Sequence, residues 1–540
     1  MVWRVDRGAI VSRAPVDRGE IALRALTWML CGLIGLACAA PTLEGKRTLG
    51  TEARRAALRE QGAPRRVILI SVAGLESGDF LDPWGHVAAA DAPARMPELA
   101  RLAREGTVGV QLLPPSPGAS YTAHATLVTG RRSAGHGVTA DEALDAEGQR
   151  ALPFWDNRLM RGTALWDAAI GRGALALGWP TTVGARIELV VPDALPEDPT
   201  LGWLATAKRL STPLLARELE AIAEADLAED RDRDPRSWPS ASEKDAAFVE
   251  VACRIAASDR DPALWLIRLD QTAGLAARSG WGSVEQAEGL RRIDAGLGRL
   301  LACLEEQGRL ADTALFVVGD VAWRPVHTVV EPNVALVRRG LIGRDPRSST
   351  GVRSWLALAR SHGRSAYVYA RDAASALGAR ELLEAEGRRT GAFEVVPAAE
   401  LAESGADPQA WFGLLARPGF AIGNRLVGDL LVPAERRAEP GGLHSRDPGA
   451  IAVGLVAWGR GVRAQVRIPV LEGVDVAPTV ASLLGLRLDD DVEGQPLIGM
   501  LRAAVPPPPP GPKRLGADSG DDVQRTLREL GGGRDLGGDR

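Results

Sequence analysis

Residues 120–138 read SYTAHATLVTGRRSAGHGV, a hydroxyl at the head of a short helical run that follows a proline- and glycine-rich loop, PPSPGA. Ser120 opens the run YTAHATLVT, a position where a serine side chain caps a helix by accepting a backbone N–H. Outward from this block, short apolar runs of strand type alternate with helical ones. RVILISV (66–72) reads as a buried strand and MPELARLAREG (96–106) as a helix with Gly106 at its C-terminal end. TVGVQLL (107–113), ALALGWP (174–180), ALWLIRL (263–269), ALFVVG (314–319) and AIAVGLVAW (450–458) follow, with the helix VEQAEGLRRIDAGLGRLLACLEEQG (284–308) among them. Such alternation predicts an α/β fold, a largely parallel sheet with helices on both faces. Ligands of such sheets sit at the carboxyl ends of the strands.

Composition narrows the classes. Of 540 residues, 25% are charged and 45% hydrophobic, an ordinary globular balance. A net charge of −4 without a basic stripe argues against a nucleic-acid partner. The four cysteines, Cys31, Cys38, Cys253 and Cys303, form neither a disulfide framework nor a metal knuckle, and the thiols read as bystanders.

After Arg24 the run 25–40 carries no charge and ends in small residues, the order of a secretory signal, and it is shorter than the roughly 20 residues of a membrane span. Ala37 and Ala39 make an A-x-A cleavage site, and Cys38 supplies a second reading as a lipid anchor. The expectation is an exported protein, periplasmic or in the cell envelope, touching a membrane only through this N-terminal segment. Residues 1–40 are assigned to the signal or anchor, 41–64 to a linker, 65–504 to the folded domain and 505–540, beginning in VPPPPPGPKR, to an extended tail. Residues 194–262, with LAEDRDRDPRSWPSASEKD, read as a solvated charged connection.

Chemistry-capable groups fall at strand ends and loops. They are Ser120, Asp270 in LWLIRLDQTAGL, Asp320 in FVVGDVAW and His444 in PGGLHSRDPG. Singly, each has a plain explanation as a cap or loop residue. An acid inside an apolar run still calls for a partner, because carboxylates are rarely buried without one.

Together, the stretch 66–136, the segment ALWDAAIGRGALALGWPTTVGARIELVVPD (164–193) and GVDVAPTVASLLGLRLDDDVEGQPL (473–497) resemble the alkaline phosphatase superfamily, and within it the type I phosphodiesterase and nucleotide pyrophosphatase branch. The resemblance implies an alkaline-phosphatase-like fold from about 65 to 500 and two divalent metals, usually zinc, that clamp a phosphate ester while a Thr or Ser hydroxyl attacks phosphorus. It places Ser120 at the nucleophile. Asp270 and His444 fall on ligands of one metal, whose third ligand position is Gly274; Asp320 falls on the other metal, whose remaining positions are Ala73 and Val321. Three of six ligands are thus kept. Asp141 stands where the family has a substrate-binding Asn, and an ionised carboxylate repels a phosphate instead of donating to it. Asp141, Glu76 and Asp79 are the candidate replacement ligands. His124 and His136 read as braces of the motif loop, and the tryptophans as packing.

The expectation is a catalytically degenerate pseudo-hydrolase whose crevice survives as a binding surface. The alternative is an active phosphodiester or pyrophosphate hydrolase with a rebuilt, mononuclear site and Ser120 as nucleophile. On the first reading Asp320 is an unpaired acid beside Val321, and Asp320→Asn changes stability little or raises it.

Overall fold

Seven consecutive buried residues, RVILISV, form strand β1, Arg66–Val72, at the centre of an eight-stranded sheet. This is a computed structural model. The chain divides into two units, Met1–Arg55 and Ala56–Arg540. The structure describes residues 62–82, 95–145, 147–193, 202–229, 232–443, 452–502 and 525–526. The N-terminal apolar segment with Cys31 and Cys38, His86, His444 and nearly all of the proline-rich tail lie outside the described residues.

The other strands of the sheet are β2 (Thr107–Leu113), β3 (Ala174–Trp179), β4 (Leu189–Pro192), β5 (Leu264–Leu269), β6 (Thr313–Gly319), β7 (Val453–Gly459) and β8 (Val466–Glu472). Their order is β8-β2-β7-β6-β1-β5-β3-β4. β7 runs antiparallel to both neighbours, β2 and β6, while the remaining pairs are parallel. The alternation of strand and helix therefore delivers the largely parallel sheet it predicts.

Because successive side chains point to opposite faces, β1 divides its residues between two cores. Val67 and Leu69 join one with Leu264, Leu266, Phe316 and Val318, whereas Ile68 and Ile70 join the other with Trp265, Ile267, Leu315 and Val317. Seven helices bear on the site or its surroundings: α1 (Pro97–Glu105), α2 (Ser120–Thr129), α3 (Pro213–Glu229), α4 (Ala241–Ala257), α5 (Gln271–Ser279), α6 (Val284–Glu306) and α7 (Val476–Leu484). Residues of α2 and α7 bury in the first core, those of α1, α3, α4 and α6 in the second. Trp166, Trp179, Trp238 and Trp265 are fully buried packing residues.

Between β6 and β7 the chain builds a further layer. Trp323–Val330 pairs with Gly419–Ile422 and Leu431–Pro433, and a separate antiparallel sheet joins Ala357–His362, Ser365–Ala370, Phe412–Ala416 and Phe393–Pro397.

Two expectations are corrected. Residues 202–257 are not a solvated connection: they contain Gly202–Leu210, α3 and α4, and Ser240 accepts from the Glu243 N–H in a capping box that starts α4. Most of the charges lie on the outer faces, with Lys244 and Asp245 turned inward, while Ala247, Phe248, Val251 and Ile255 bury against the sheet. Cys253 and Cys303 are likewise not bystanders, since they form a disulfide across a sequence separation of 50 that ties α4 to α6. Among the described residues no helix is long and apolar enough to cross a membrane.

Candidate active site

Parallel register brings the candidate residues to one edge. Val72 of β1 is level with Leu269 of β5 and with Gly319 of β6, so Ala73, Asp270 and Asp320 emerge side by side at the carboxyl ends of three adjacent strands. Asp193 follows β4 on the same edge.

Asp320 is buried, at 2% exposure, and it is not alone. Its Oδ1 accepts from the backbone N–H of Gly74 at 3.0 Å and of Val321 at 2.6 Å, and its Oδ2 accepts from the Ser120 hydroxyl at 2.8 Å. The expectation of an unpaired acid is overturned, because the donors come from the backbone and from a hydroxyl 200 residues away rather than from a neighbouring imidazole. Asp320→Asn should therefore destabilise the chain by about 1–2 kcal/mol, since three charge-assisted hydrogen bonds become neutral ones and the Ser120 hydroxyl, which loses its acceptor at Oδ2, must turn to accept from the amide. Urea unfolding of the variant measures it.

Gly74 makes this geometry feasible. It sits at φ +69°, and a Cβ there would lie 2.8 Å from Trp323 Cδ1 and 3.0 Å from Trp281 Cζ3. Gly74→Ala is expected to cost about 1–3 kcal/mol through left-handed backbone strain and crowding of the two indoles, read as a lowered midpoint of thermal unfolding.

Asp270 lies in an ion network that includes two cations from outside the family motif. Its Oδ2 accepts from Lys244 Nζ of α4 at 2.9 Å and lies 3.5 Å from Arg268 Nη1. The same Arg268 nitrogen donates to Asp193 Oδ2 at 2.6 Å, and Tyr121 donates its hydroxyl to that oxygen at 3.0 Å. The four charged side chains are 12–18% exposed. Burial pushes the Asp270 carboxyl up, but Lys244 and Arg268 outweigh it and hold the group below its ordinary value. Burial lowers Lys244, yet Asp270 and Asp193 outweigh that and leave the ammonium raised. Beneath them Asp245 accepts from the backbone N–H of Asp270 at 3.0 Å and of Gln271 at 3.1 Å. Burial, then the Asp270 charge, pushes Asp245 up to about 7.

At the start of α2 the helix cap is Ala119, and Ser120 occupies the first turn. Asp141 Oδ1 accepts the Tyr121 N–H at 2.8 Å, so the chain's own carboxyl stands at the helix N-terminus, where partial positive charge gathers. Burial raises the Asp141 carboxyl. His124 Nδ1 donates to the Ser120 carbonyl at 2.7 Å and its ring meets Trp179 edge-on, 4.8 Å between centroids. Burial first, then Arg268, lowers it to about 4. His136 Nε2 lies 3.0 Å from Thr126 Oγ1, and its Nδ1 accepts from Val138 N–H at 3.1 Å. Both histidines engage groups within the motif.

The described donors do not fit a pair of divalent ions. Asp270 is already neutralised by an ammonium and a guanidinium, which repel a further cation, and Gly274 offers no ligand atom. Around Asp320 the remaining positions are the methyl of Ala73 and the alkyl group of Val321. Of the candidate replacements, Glu76 is ion-paired with Arg324, Asp79 accepts from the Glu76 N–H at 2.9 Å and pairs with Arg95, and Asp141 holds Tyr121. Among the described residues no group of three or more His, Cys, Asp or Glu is placed to hold a metal.

Ser120, Asp320, Asp270 and Asp141 are thus gathered at one strand edge, whereas His444 lies outside the described residues. Sequence reasoning missed Lys244, Arg268, Asp193 and Asp245. Arg268 carried a signal, a lone cation inside the apolar run LWLIRL; Lys244 carried only the S-x-x-E pattern that starts its helix.

A sequence model described as type I phosphodiesterase / nucleotide pyrophosphatase matches residues 67–439. No curated protein matches the sequence. Among solved structures, human ectonucleotide pyrophosphatase / phosphodiesterase 5 aligns with a TM-score of 0.56 at 15% identity, over 81% of this chain and 100% of that one. The murine protein of the same name, inactive and in complex with AMP, aligns with a TM-score of 0.53 at 16% identity, over 78% of this chain and 95% of that one. At these identities the likeness is one of fold.

Proposed function

The chain belongs to the type I phosphodiesterase / nucleotide pyrophosphatase family, and from that premise we propose that it is an exported, non-hydrolytic member whose crevice uses tethered protein cations where its relatives use metal ions. The observation that carries this reading is the Lys244 ammonium, 2.9 Å from Asp270 at a position that the resemblance assigns to a metal ligand. A cation on a helix is permanent and offers no open coordination position, so it neutralises the carboxylates without activating an oxygen nucleophile. Asp141 adds to the reading, because its carboxyl occupies a helix N-terminus that would otherwise attract a phosphate. The crevice then serves as a binding or scaffolding surface in the periplasm or cell envelope.

Export is supported by the uncharged run 25–40 and by the Cys253–Cys303 disulfide, which fits an oxidising compartment. On this reading residues 1–40 are the signal or anchor, with Cys38 as the lipid-bearing residue in the anchored form.

A second reading follows from the Ser120 hydroxyl, bonded to Asp320 at 2.8 Å at the head of α2. In it Ser120 attacks a small phosphate ester, of the kind that the AMP bound to the murine protein represents, with Asp270, Asp320 and His444 around one ion. Metal analysis of the purified full chain together with turnover of bis(4-nitrophenyl) phosphate separates the two. Wild type is expected to hold less than stoichiometric zinc and to show no turnover above Ser120→Ala. Stoichiometric zinc with turnover that Ser120→Ala abolishes would defeat the proposal and establish the second reading.

A further inference from the structure

The sheet delivers acids to the crevice at one end and arginines to the other. β1, β2, β3, β4, β5 and β6 begin at the end away from the crevice, and β7, running antiparallel, finishes there at Gly459 before the chain turns into β8. The turns at this far end, 62–66, 169–173, 184–188, 258–263, 307–312 and 460–465, carry eight arginines and no lysine against four acids, in a chain whose net charge is −4. Arg65, Arg186, Arg260 and Arg463 are exposed.

Three further features lie at the same end. A cavity of about 560 Å³ is bordered by Ile170, Arg172, Arg186 and Glu188. Its carboxylates are already matched, Glu188 by Arg260 at 3.0 Å and Asp261 by Arg65 and Arg66, whereas Arg186 meets no carboxylate among the described residues. Ile170 is 58% exposed, and Ile498, one short turn before the Leu501 that bridges to Val462, is 61% exposed. Lastly, β1 is the first strand of the fold, so the chain that carries the uncharged run 25–40 joins the sheet at this end.

We propose that this arginine-rich end rests on an anionic membrane surface, with guanidinium groups on lipid phosphates, Ile170 and Ile498 in the headgroup layer and the crevice turned away from the bilayer. The planar guanidinium matches a phosphate in two hydrogen bonds, which suits an edge built from arginine alone. Anionic leaflets attract such clusters, and peripheral binding strengthens with the apolar area that enters the interface. A nucleic-acid backbone would use the arginines but leave both isoleucines in water. The inference rests on the export reading for the tether and on the charge distribution for the surface, and vesicle binding tests the surface alone.

Co-sedimentation of the purified full chain with vesicles is the experiment. Neutral phosphatidylcholine vesicles register whatever the run 25–40 contributes, and mixed phosphatidylcholine and phosphatidylglycerol vesicles add negative charge. Wild type is expected to bind the mixed vesicles at least about 10-fold more tightly than the neutral ones at low salt, a difference that high salt removes. The triple variant Arg186→Glu, Arg260→Glu, Arg463→Glu should lose this preference. A control, Arg347→Glu, Arg388→Glu, Arg417→Glu, reverses three exposed arginines of the layer between β6 and β7, changes the net charge equally and should keep it. Thermal melts establish that both variants are folded, and Arg186→Gln with Arg463→Gln, which removes charge without adding any, should show an intermediate preference. Equal binding of wild type to the two vesicle types, a charge-reversed far end that keeps the preference, or a control that loses it would overturn the proposal.

Discussion

Arg268→Met is expected to lower the free energy of unfolding by about 3–5 kcal/mol, the cost of removing one partner from a buried ion network. Arg268 is the link between Asp193 at 2.6 Å and Asp270 at 3.5 Å, in a crevice whose charged side chains are no more than 18% exposed. Without it Lys244 alone faces both carboxylates, and the Tyr121 hydroxyl becomes the remaining close donor to Asp193. Urea unfolding gives the size of the effect. Adding Asp193→Asn to the variant should recover part of the loss, because the second substitution removes a charge that the first left uncompensated. If Arg268→Met costs less than about 1 kcal/mol, the carboxylates are hydrated well enough to need no counter-ion, and the idea that tethered cations stand in for metal charge fails.

Breaking the Cys253–Cys303 bond should have an effect of similar size. Closing a loop of 50 residues removes denatured-state entropy worth about 4 kcal/mol at 25 °C in the chain-entropy treatment. The expected result is that the Cys253→Ser, Cys303→Ser double variant and the reduced wild-type protein share one lowered urea midpoint, while the oxidised protein stands above both. Two free thiols at these positions in protein prepared under oxidising conditions would refute the bond and remove a support for export.

The strands were legible from sequence because their signal is local. RVILISV, TVGVQLL and ALFVVG are apolar runs whose ends coincide with β1, β2 and, within one residue, β6. Asp270 and Asp320 were legible because they stand where strands stop, and Ser120 and Asp141 because the motif block around α2 carries them. Lys244 was not, since a lysine in SASEKD looks the same whether its helix faces water or a carboxylate. The same limit explains the misreading of Asp320: its immediate neighbours in FVVGDVAW are apolar, and the residues that satisfy it are the backbone of Gly74 and the side chain of Ser120.

What the sequence determined by itself is six of the eight strands of the sheet, helices α1, α2 and α6 and the set of groups delivered to strand ends, because hydrophobic periodicity acts between residues a few positions apart. What only the tertiary structure decided is the charge state and company of those groups. Lys244 meets Asp270 across 26 residues, Gly74 meets Asp320 across 246, and Cys253 meets Cys303 across 50. Electrostatic and covalent partners are set by distance in space, and that distance exists only once α4 has packed onto the sheet.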